Sequence, residues 1–174
     1  MNKIQKSKIS AKGGYASGGK YQNENSKFKI SEKAFEFLEH TADLKIRAFG
    51  KSLKELFINM AKGMMSSMVD KPVFAAATAG SEINRTIKIA SNDLEGLLID
   101  YLSELLYLTD VNNEIYNNYE IKNLRLASGD CILNATVSGY KVKRFGLEIK
   151  AVTYSDLKIY RENKIWLAEV VFDI

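Results

Sequence analysis

The chain has 174 residues, 46% of them apolar and 26% charged, which is enough for one sizeable core in a globular protein. No run of eighteen or more apolar residues is present, and the basic N-terminus lacks the apolar stretch of a secretory signal, so we expect no membrane association. The single cysteine excludes an internal disulfide framework and a cysteine-based zinc site, and together these features indicate a cytoplasmic protein.

The positive charge of the chain is confined to its N-terminal segment. Residues 1–34 contain eight lysines and two glutamates, a net charge of +6, so the remainder carries −2 of the total of +4. Residues 1–33 are rich in Lys, Ser, Gly and Asn without an apolar period, which predicts a flexible basic tail ahead of one domain over 34–174. The tail either solubilises the chain or attracts RNA, with Tyr15 and Tyr21 available for stacking.

The first half of the domain is predicted to contain two short strands and a helix. Alternation around Phe35 and over residues 44–49 predicts the strands, and Gly50 ends the second. Ser52 and Glu55 have the spacing of a capping box, so the helix starts there. One helical face then carries a methionine-rich stripe, which predicts core packing or, alternatively, a plastic partner groove. The stripe comprises Leu53, Leu56, Phe57, Met60, Ala61, Met64 and Met68.

A further strand and a leucine-rich helix follow. Isoleucines at 83, 87 and 89 predict the strand, and Asn92 with Glu95 predicts the N-terminus of the helix. Asp100 and Glu104 share the polar face of this helix, where they are either solvated or act as a metal-binding or acid–base pair. The apolar face has the helical repeat and consists of Leu94, Leu97, Leu98, Tyr101, Leu102, Leu105, Leu106 and Leu108.

The rest of the chain is typical of consecutive strands separated by turn residues. The predicted segments are 115–127, 131–138, 146–153, 156–161 and 165–173. Two main helices among these strands predict an α+β fold, a single domain with a mostly antiparallel sheet. We interpret Cys131, in one of these strands, as a small core residue, because only His40 is available to activate it as a nucleophile.

The sequence lacks the common motifs of catalytic and nucleotide-binding sites. It has no phosphate-binding or dinucleotide-binding glycine motif, no H-E-x-x-H, and no serine in a nucleophile-elbow context. The chain closes with Asp173 and Ile174 in a strand-like pattern, so a carboxylate side chain and an ionised α-carboxylate come from adjacent residues. They form either a solvated strand end or half of an anionic site.

Four motifs resemble the archease family, in matching order over residues 35–174. They are FLEHTAD at 37–43, LEGLLIDYLSELLYL at 94–108, EIKAVTY at 148–154 and VVFDI at 170–174. The resemblance implies a small α+β accessory protein, without ligase activity of its own, that assists the tRNA-splicing RNA ligase. Archeases promote guanylylation and turnover of that ligase, which itself uses GTP and manganese, so contact with RNA would be indirect.

The resemblance also implies specific site residues. The family binds a divalent cation, taken to be calcium, at positions that correspond to Asp43, Asp173 and Ile174. The lysine associated with ligase activation corresponds to Lys150. Ser155 stands where relatives often have histidine, and the turn at 143–146 also lacks the histidine that many relatives carry.

The chemistry of these residues agrees with a hard cation. Two Asp side chains and a terminal carboxylate bring roughly three negative charges together, so without a cation one of them would hold a proton. Oxygen-only ligands favour calcium, magnesium or manganese, and because calcium takes about six to eight oxygens, water or a partner would complete its shell. We expect the HTAD motif to aim Asp43 at the C-terminus, with His40 as an orienting hydrogen-bond donor.

Two other functions remain open at this point. The lysine-rich tail over 1–33 predicts a direct RNA-binding module, in which affinity falls steeply with salt. Asp100 and Glu104 allow a small hydrolase, although the sequence offers no nucleophile for it.

Overall fold

Nine helices and strands make up the part of the chain that the computed structural model describes, residues 33–69 and 82–174. In chain order they are β1 (Phe35–Leu38), β2 (Leu44–Gly50), α1 (Leu53–Ser67), β3 (Ile83–Ser91), α2 (Leu94–Asn112), β4 (Glu114–Arg125), β5 (Cys131–Lys141), β6 (Ala151–Glu162) and β7 (Ile165–Asp173). The predicted α+β class with two main helices is confirmed. The predicted tail lies outside the described residues, except for Lys33.

The strands divide between two antiparallel sheets. One sheet has the order β1-β2-β7-β6, and the other has the order β3-β5-β4. The sequence predicted antiparallel strands but not this division. The pairing that matters most for the site is that of β2 with β7, because it brings the start of the domain against the end of the chain.

Helix α1 begins as its sequence predicts. The hydroxyl of Ser52 accepts a hydrogen bond from the backbone N–H of Glu55 at 3.2 Å, and the Glu55 carboxylate accepts from the backbone N–H of Lys51 at 2.7 Å. The first bond satisfies an N–H group that the first turn cannot satisfy itself, and the second satisfies the N–H group of the residue before the N-cap. The methionine stripe is fully buried from Leu56 to Met68, so core packing is confirmed. Each such buried side chain contributes about 1.5–3 kcal/mol relative to exposure.

Helix α2 begins one residue later than predicted. Asp93, not Asn92, is the N-cap, and its carboxylate accepts a hydrogen bond from the backbone N–H of Gly96 at 2.7 Å. Asn92 is exposed at the end of β3. The leucine face is buried as predicted, with Leu94 and Leu108 half-buried at its ends. Neither helix in the described ranges has the length and apolar character needed to cross a membrane.

The two helices join the sheets into one core. Helix α1 packs on β2 and also on β4, while α2 packs on β3, β5 and β6, so each helix contacts both sheets. The rings of Phe57 and Tyr101 stack at 6.0 Å where the helices meet. Cys131 is buried in this core, which confirms its predicted role as a core residue.

Strand β6 replaces the two separate strands predicted for 146–153 and 156–161. Residues 146–150 precede it without strand structure, and the strand then runs unbroken from Ala151 to Glu162. Its pairing with β7 skips the four residues between Thr153 and Lys158. Such a bulge absorbs extra residues without ending the strand, and Asp156 within it has a left-handed φ of 53°. The alternation of apolar residues is interrupted at this bulge, and for that reason the sequence predicted two strands where the structure has one.

Candidate functional site

The register of β2 against β7 sets Asp43 and Asp173 at the same edge of the sheet. Leu44 pairs with Phe172 in this antiparallel ladder. Asp43 comes directly before Leu44, and Asp173 comes directly after Phe172. The two aspartates therefore stand at the ends of neighbouring strands, although 130 positions separate them in the sequence.

The HTAD motif forms the connection between β1 and β2. Leu38 and Lys45 are the last paired residues of this hairpin, so the motif lies in the loop between them. Ala42 has a φ of 67°, a left-handed conformation that non-glycine residues adopt at a cost of about 1–3 kcal/mol. The Nδ1 atom of His40 lies 3.5 Å from the carboxylate of Asp43. The loop thus brings the only histidine of the sequence beside Asp43.

Lys150 contacts the last two residues of the sequence. Its backbone N–H donates to the carbonyl oxygen of Asp173 at 2.8 Å, just before Ala151 pairs with Asp173 in the β6–β7 ladder. Its ammonium donates to the backbone oxygen of Ile174 at 2.9 Å. Lys150 therefore fixes the backbone that carries Asp173 and Ile174.

The carboxylates at this edge are accessible to a ligand. The Asp43 side chain is 36% exposed and Asp173 is exposed, whereas the neighbouring Phe172 is completely buried. Within residues 33–69 and 82–174, no group of three or more His, Cys, Asp or Glu side chains lies close enough to hold a metal. Carboxylate and backbone oxygens are donors of the kind that a hard cation prefers.

A partly buried ion-pair network links the same two strands beside this edge. Glu169 on β7 accepts hydrogen bonds from the guanidinium of Arg47 on β2 at 2.6 and 2.9 Å, and Lys45 lies 3.4 Å from its second oxygen. Burial alone would raise the pKa of Glu169, but the hydrogen bonds and charges of Arg47 and Lys45 outweigh it and lower this pKa. The network therefore keeps Glu169 ionised and opposes a slip of β2 along β7.

Asp100 and Glu104 do not form a paired acid–base site in this structure. Asp100 is exposed and accepts a hydrogen bond from the hydroxyl of Ser91, while Glu104 is half-buried. Asp100 lines a cleft at the start of α2 with Asp93 and Tyr154. Although Tyr154 is largely exposed, desolvation at its hydroxyl and then the charges of the two aspartates raise the pKa of Tyr154, which keeps the hydroxyl protonated.

The sequence did not predict the cleft that Asp93, Asp100 and Tyr154 line. Tyr154 reaches the start of α2 from the bulge of β6, so that its hydroxyl would lie 3.7 Å from a Cβ atom at Gly96. The only sequence signal was the match of residues 148–154 to a family motif, which says nothing of α2.

Comparison with known proteins agrees with this architecture. The sequence profile of the archease protein family matches residues 35–174. Protein archease from Methanosarcina barkeri is 40% identical over 146 residues, which cover 82% of this chain and 97% of the relative. Protein archease from Pyrococcus furiosus is 32% identical over 147 residues, with coverages of 82% and 99%.

Solved structures support the same relationship. The solution structure of Methanobacterium thermoautotrophicum protein 1598 superposes with a TM-score of 0.67 at 30% identity and covers 81% of this chain and 99% of that one. A crystal structure from Thermotoga maritima, described as an archease and possible chaperone, has a TM-score of 0.53 at 22% identity, with coverages of 79% and 94%. The latter supports the fold alone. The profile, the relatives and the fold together show that the chain belongs to the archease family.

Proposed function

We propose that this archease acts in the cytoplasm as a non-enzymatic accessory protein, which promotes guanylylation and turnover of the tRNA-splicing RNA ligase. A divalent cation, calcium or alternatively magnesium or manganese, would bind at Asp43, Asp173 and Ile174 and mark the surface that meets the ligase. Family membership supports the accessory role. One observation carries the location of the site: the β2–β7 register sets both aspartates at one edge of the sheet.

The residues of the chain have separate roles in this proposal. Asp43 and Asp173 supply carboxylate oxygens, and Ile174 supplies a backbone oxygen. His40 orients the Asp43 carboxylate from its position 3.5 Å away. A bound cation would neutralise the two carboxylates and offer its remaining coordination positions to water or to an oxygen of the partner.

Lys150 is the second element of the proposed contact surface. It is exposed, and its ammonium holds the backbone oxygen of Ile174 in the chain on its own. The proposal assigns it a contact with the ligase or its nucleotide, because an ammonium suits the anionic phosphates of a nucleotide. When the complex forms, the Lys150 ammonium would release the backbone oxygen of Ile174 and bind the ligase or its nucleotide instead.

A multiple-turnover ligation assay tests the proposal. The ligase of the same organism is mixed with GTP, manganese and broken RNA, with and without the archease. The wild-type chain should increase the turnover rate, and Asp43→Ala should abolish the increase because it removes one of the two side-chain carboxylates assigned to the cation. Asp130→Ala is the matched control, since Asp130 is an exposed aspartate that pairs with Arg125 away from this edge.

The same assay separates this function from direct RNA binding through the tail. A chain that starts at residue 34 should stimulate the ligase as well as the full chain does, because the proposed site lies wholly in the domain. Loss of stimulation on this deletion, with Asp43→Ala fully active, would instead favour the tail, whose net charge over residues 1–34 is +6. Full stimulation by a folded Asp43→Ala protein would remove Asp43 from the mechanism.

A further inference from the structure

A second surface feature lies at the opposite end of the β2–β7 ladder from the aspartates. Gly50 pairs with Trp166 at that end, whereas Leu44 pairs with Phe172 at the other. A cleft of about 430 Å³ opens here, between the first turn of α1, the end of β4 and the start of β7. Its lining consists of Lys51, Ser52, Leu53, Lys54, Leu124, Leu126 and Trp166.

The walls of this cleft are mainly apolar and incompletely covered. Leu126 is 43% exposed, although a leucine side chain normally gains free energy from burial. Trp166 is half-buried, and the guanidinium of Arg161 lies 5.6 Å from the centre of its ring. An apolar cleft with an aromatic wall suits the insertion of a bulky apolar side chain.

The rim of the cleft is positively charged. Lys51 and Lys54 are both exposed, and Arg161 adds a third cation. A neighbouring carboxylate, that of Glu55, accepts a hydrogen bond from the backbone N–H of Lys51. Lys54 donates to the carbonyl oxygen of Lys122 at 3.0 Å, a neutral acceptor that does not cancel its charge. A ligand for this cleft would therefore carry negative charge beside its apolar group.

From this combination we infer that the cleft is a docking site for an acidic peptide segment of a partner protein. A bulky apolar side chain of the segment enters between Leu126 and Trp166, and flanking carboxylates meet Lys51 and Lys54. Single-stranded nucleic acid fits less well, because it is bound on successive aromatic platforms along an extended basic groove. Among the described residues, Trp166 alone supplies an aromatic ring to the cleft, and the chain beyond residue 34 has a net charge of −2.

Trp166 provides a direct test because it is the only tryptophan in the sequence. The probe is the peptide acetyl-EDFLDE-amide, titrated into the full chain while the Trp166 emission is followed. We expect a saturable change with a Kd of about 1 mM or below. The peptides acetyl-KKFLKK-amide and acetyl-EDSSDE-amide, which lack the acidic or the apolar component, should each bind at least about tenfold more weakly.

Charge-reversal variants localise the binding. Lys51→Glu should weaken binding of the acidic peptide by about tenfold or more. Lys62→Glu, an exposed position further along the same helix, is the matched control and should leave binding unchanged. The far-ultraviolet circular dichroism of both variants verifies their fold.

Three results would overturn the inference. The first is the absence of any saturable emission change with the acidic peptide up to about 5 mM. The second is equal binding by wild type and Lys51→Glu. The third is a change produced by a six-nucleotide oligouridine but not by the acidic peptide, which would identify the surface as a nucleic-acid site.

Discussion

The protein surrounds its carboxylates in two different ways, as Glu114 in the three-stranded sheet and the aspartates at the β2–β7 edge illustrate. Glu114 is completely buried, and its two oxygens accept hydrogen bonds from Arg85 at 2.6 and 3.0 Å and from Tyr116 at 2.8 Å. Asp43 and Asp173 are accessible, and the Asp43 carboxylate lies 3.5 Å from His40. A carboxylate with its acceptor sites filled by the protein serves stability, whereas an accessible one is free to bind a ligand.

The largest effect on stability should come from Glu114. Glu114→Ala removes three hydrogen bonds and leaves the buried Tyr116 hydroxyl without its acceptor, so we expect the free energy of unfolding to fall by about 3 kcal/mol. Asp173→Ala should change it by less than about 0.5 kcal/mol, because its side chain is exposed. Urea unfolding measures both values. Equal losses in the two variants would contradict the division between structural and ligand-binding carboxylates.

Acid should remove the stabilising contribution of Glu114 and so reduce its difference from the exposed aspartates. The hydrogen bonds from Arg85 lower the pKa of Glu114 below its ordinary value, so the folded state binds this proton less readily than the unfolded state. The contribution of Glu114 is therefore complete above the unfolded pKa of about 4.3 and is lost as the pH falls through the lower folded-state pKa.

Urea unfolding at pH 7, pH 4 and pH 3 tests this dependence. Wild type should lose more free energy of unfolding than Glu114→Gln over this range, because the amide has no proton to gain. Glu169 also has a lowered pKa, so part of the acid sensitivity should persist in the variant. If wild type and Glu114→Gln lose the same free energy of unfolding over this range, protonation of Glu114 does not contribute to the acid sensitivity.

The smallest change in the free energy of unfolding should follow removal of the neutral hydroxyl of Tyr101. Among the described residues, the hydroxyl of Tyr101 is the buried side-chain group that has no hydrogen-bond partner. Tyr101→Phe removes it and keeps the stacking with Phe57, so the free energy of unfolding should stay unchanged or rise by up to about 1 kcal/mol. Thermal unfolding followed by circular dichroism measures the change. A clear loss of stability would indicate that the hydroxyl has a hydrogen-bond partner, which would contradict this prediction.

Much of the fold was accessible from local patterns because those patterns have local causes. The stripe of α1 and the leucine face of α2 repeat at the helical period, and both were predicted. The N-cap of α2 was placed one residue early, because Asn92 and Asp93 are both good capping residues and only the backbone geometry separates them. The bulge in β6 depends on a left-handed Asp156, which alternation cannot reveal.

The candidate site was much less accessible from the residues alone. Alternation indicates that residues 44–49 and 165–173 are strands, but not that they pair with each other, since strand pairing is a non-local choice. The grouping of Asp43 with Asp173 came from the family resemblance, and the register agrees with their placement at one edge. The contact of Lys150 with Ile174 depends on where β6 begins and had no sequence signal.

The proposed function depends above all on Asp43 and Asp173 sharing one divalent cation, which a calorimetric titration can detect. Calcium, and separately manganese, is titrated into wild type, Asp43→Asn, Asp173→Asn and the control Asp130→Asn. We expect saturable binding by wild type and Asp130→Asn, and affinity lower by at least about tenfold in each of the other two variants. No binding by wild type, or equal affinity in all four proteins, would rule out the shared site.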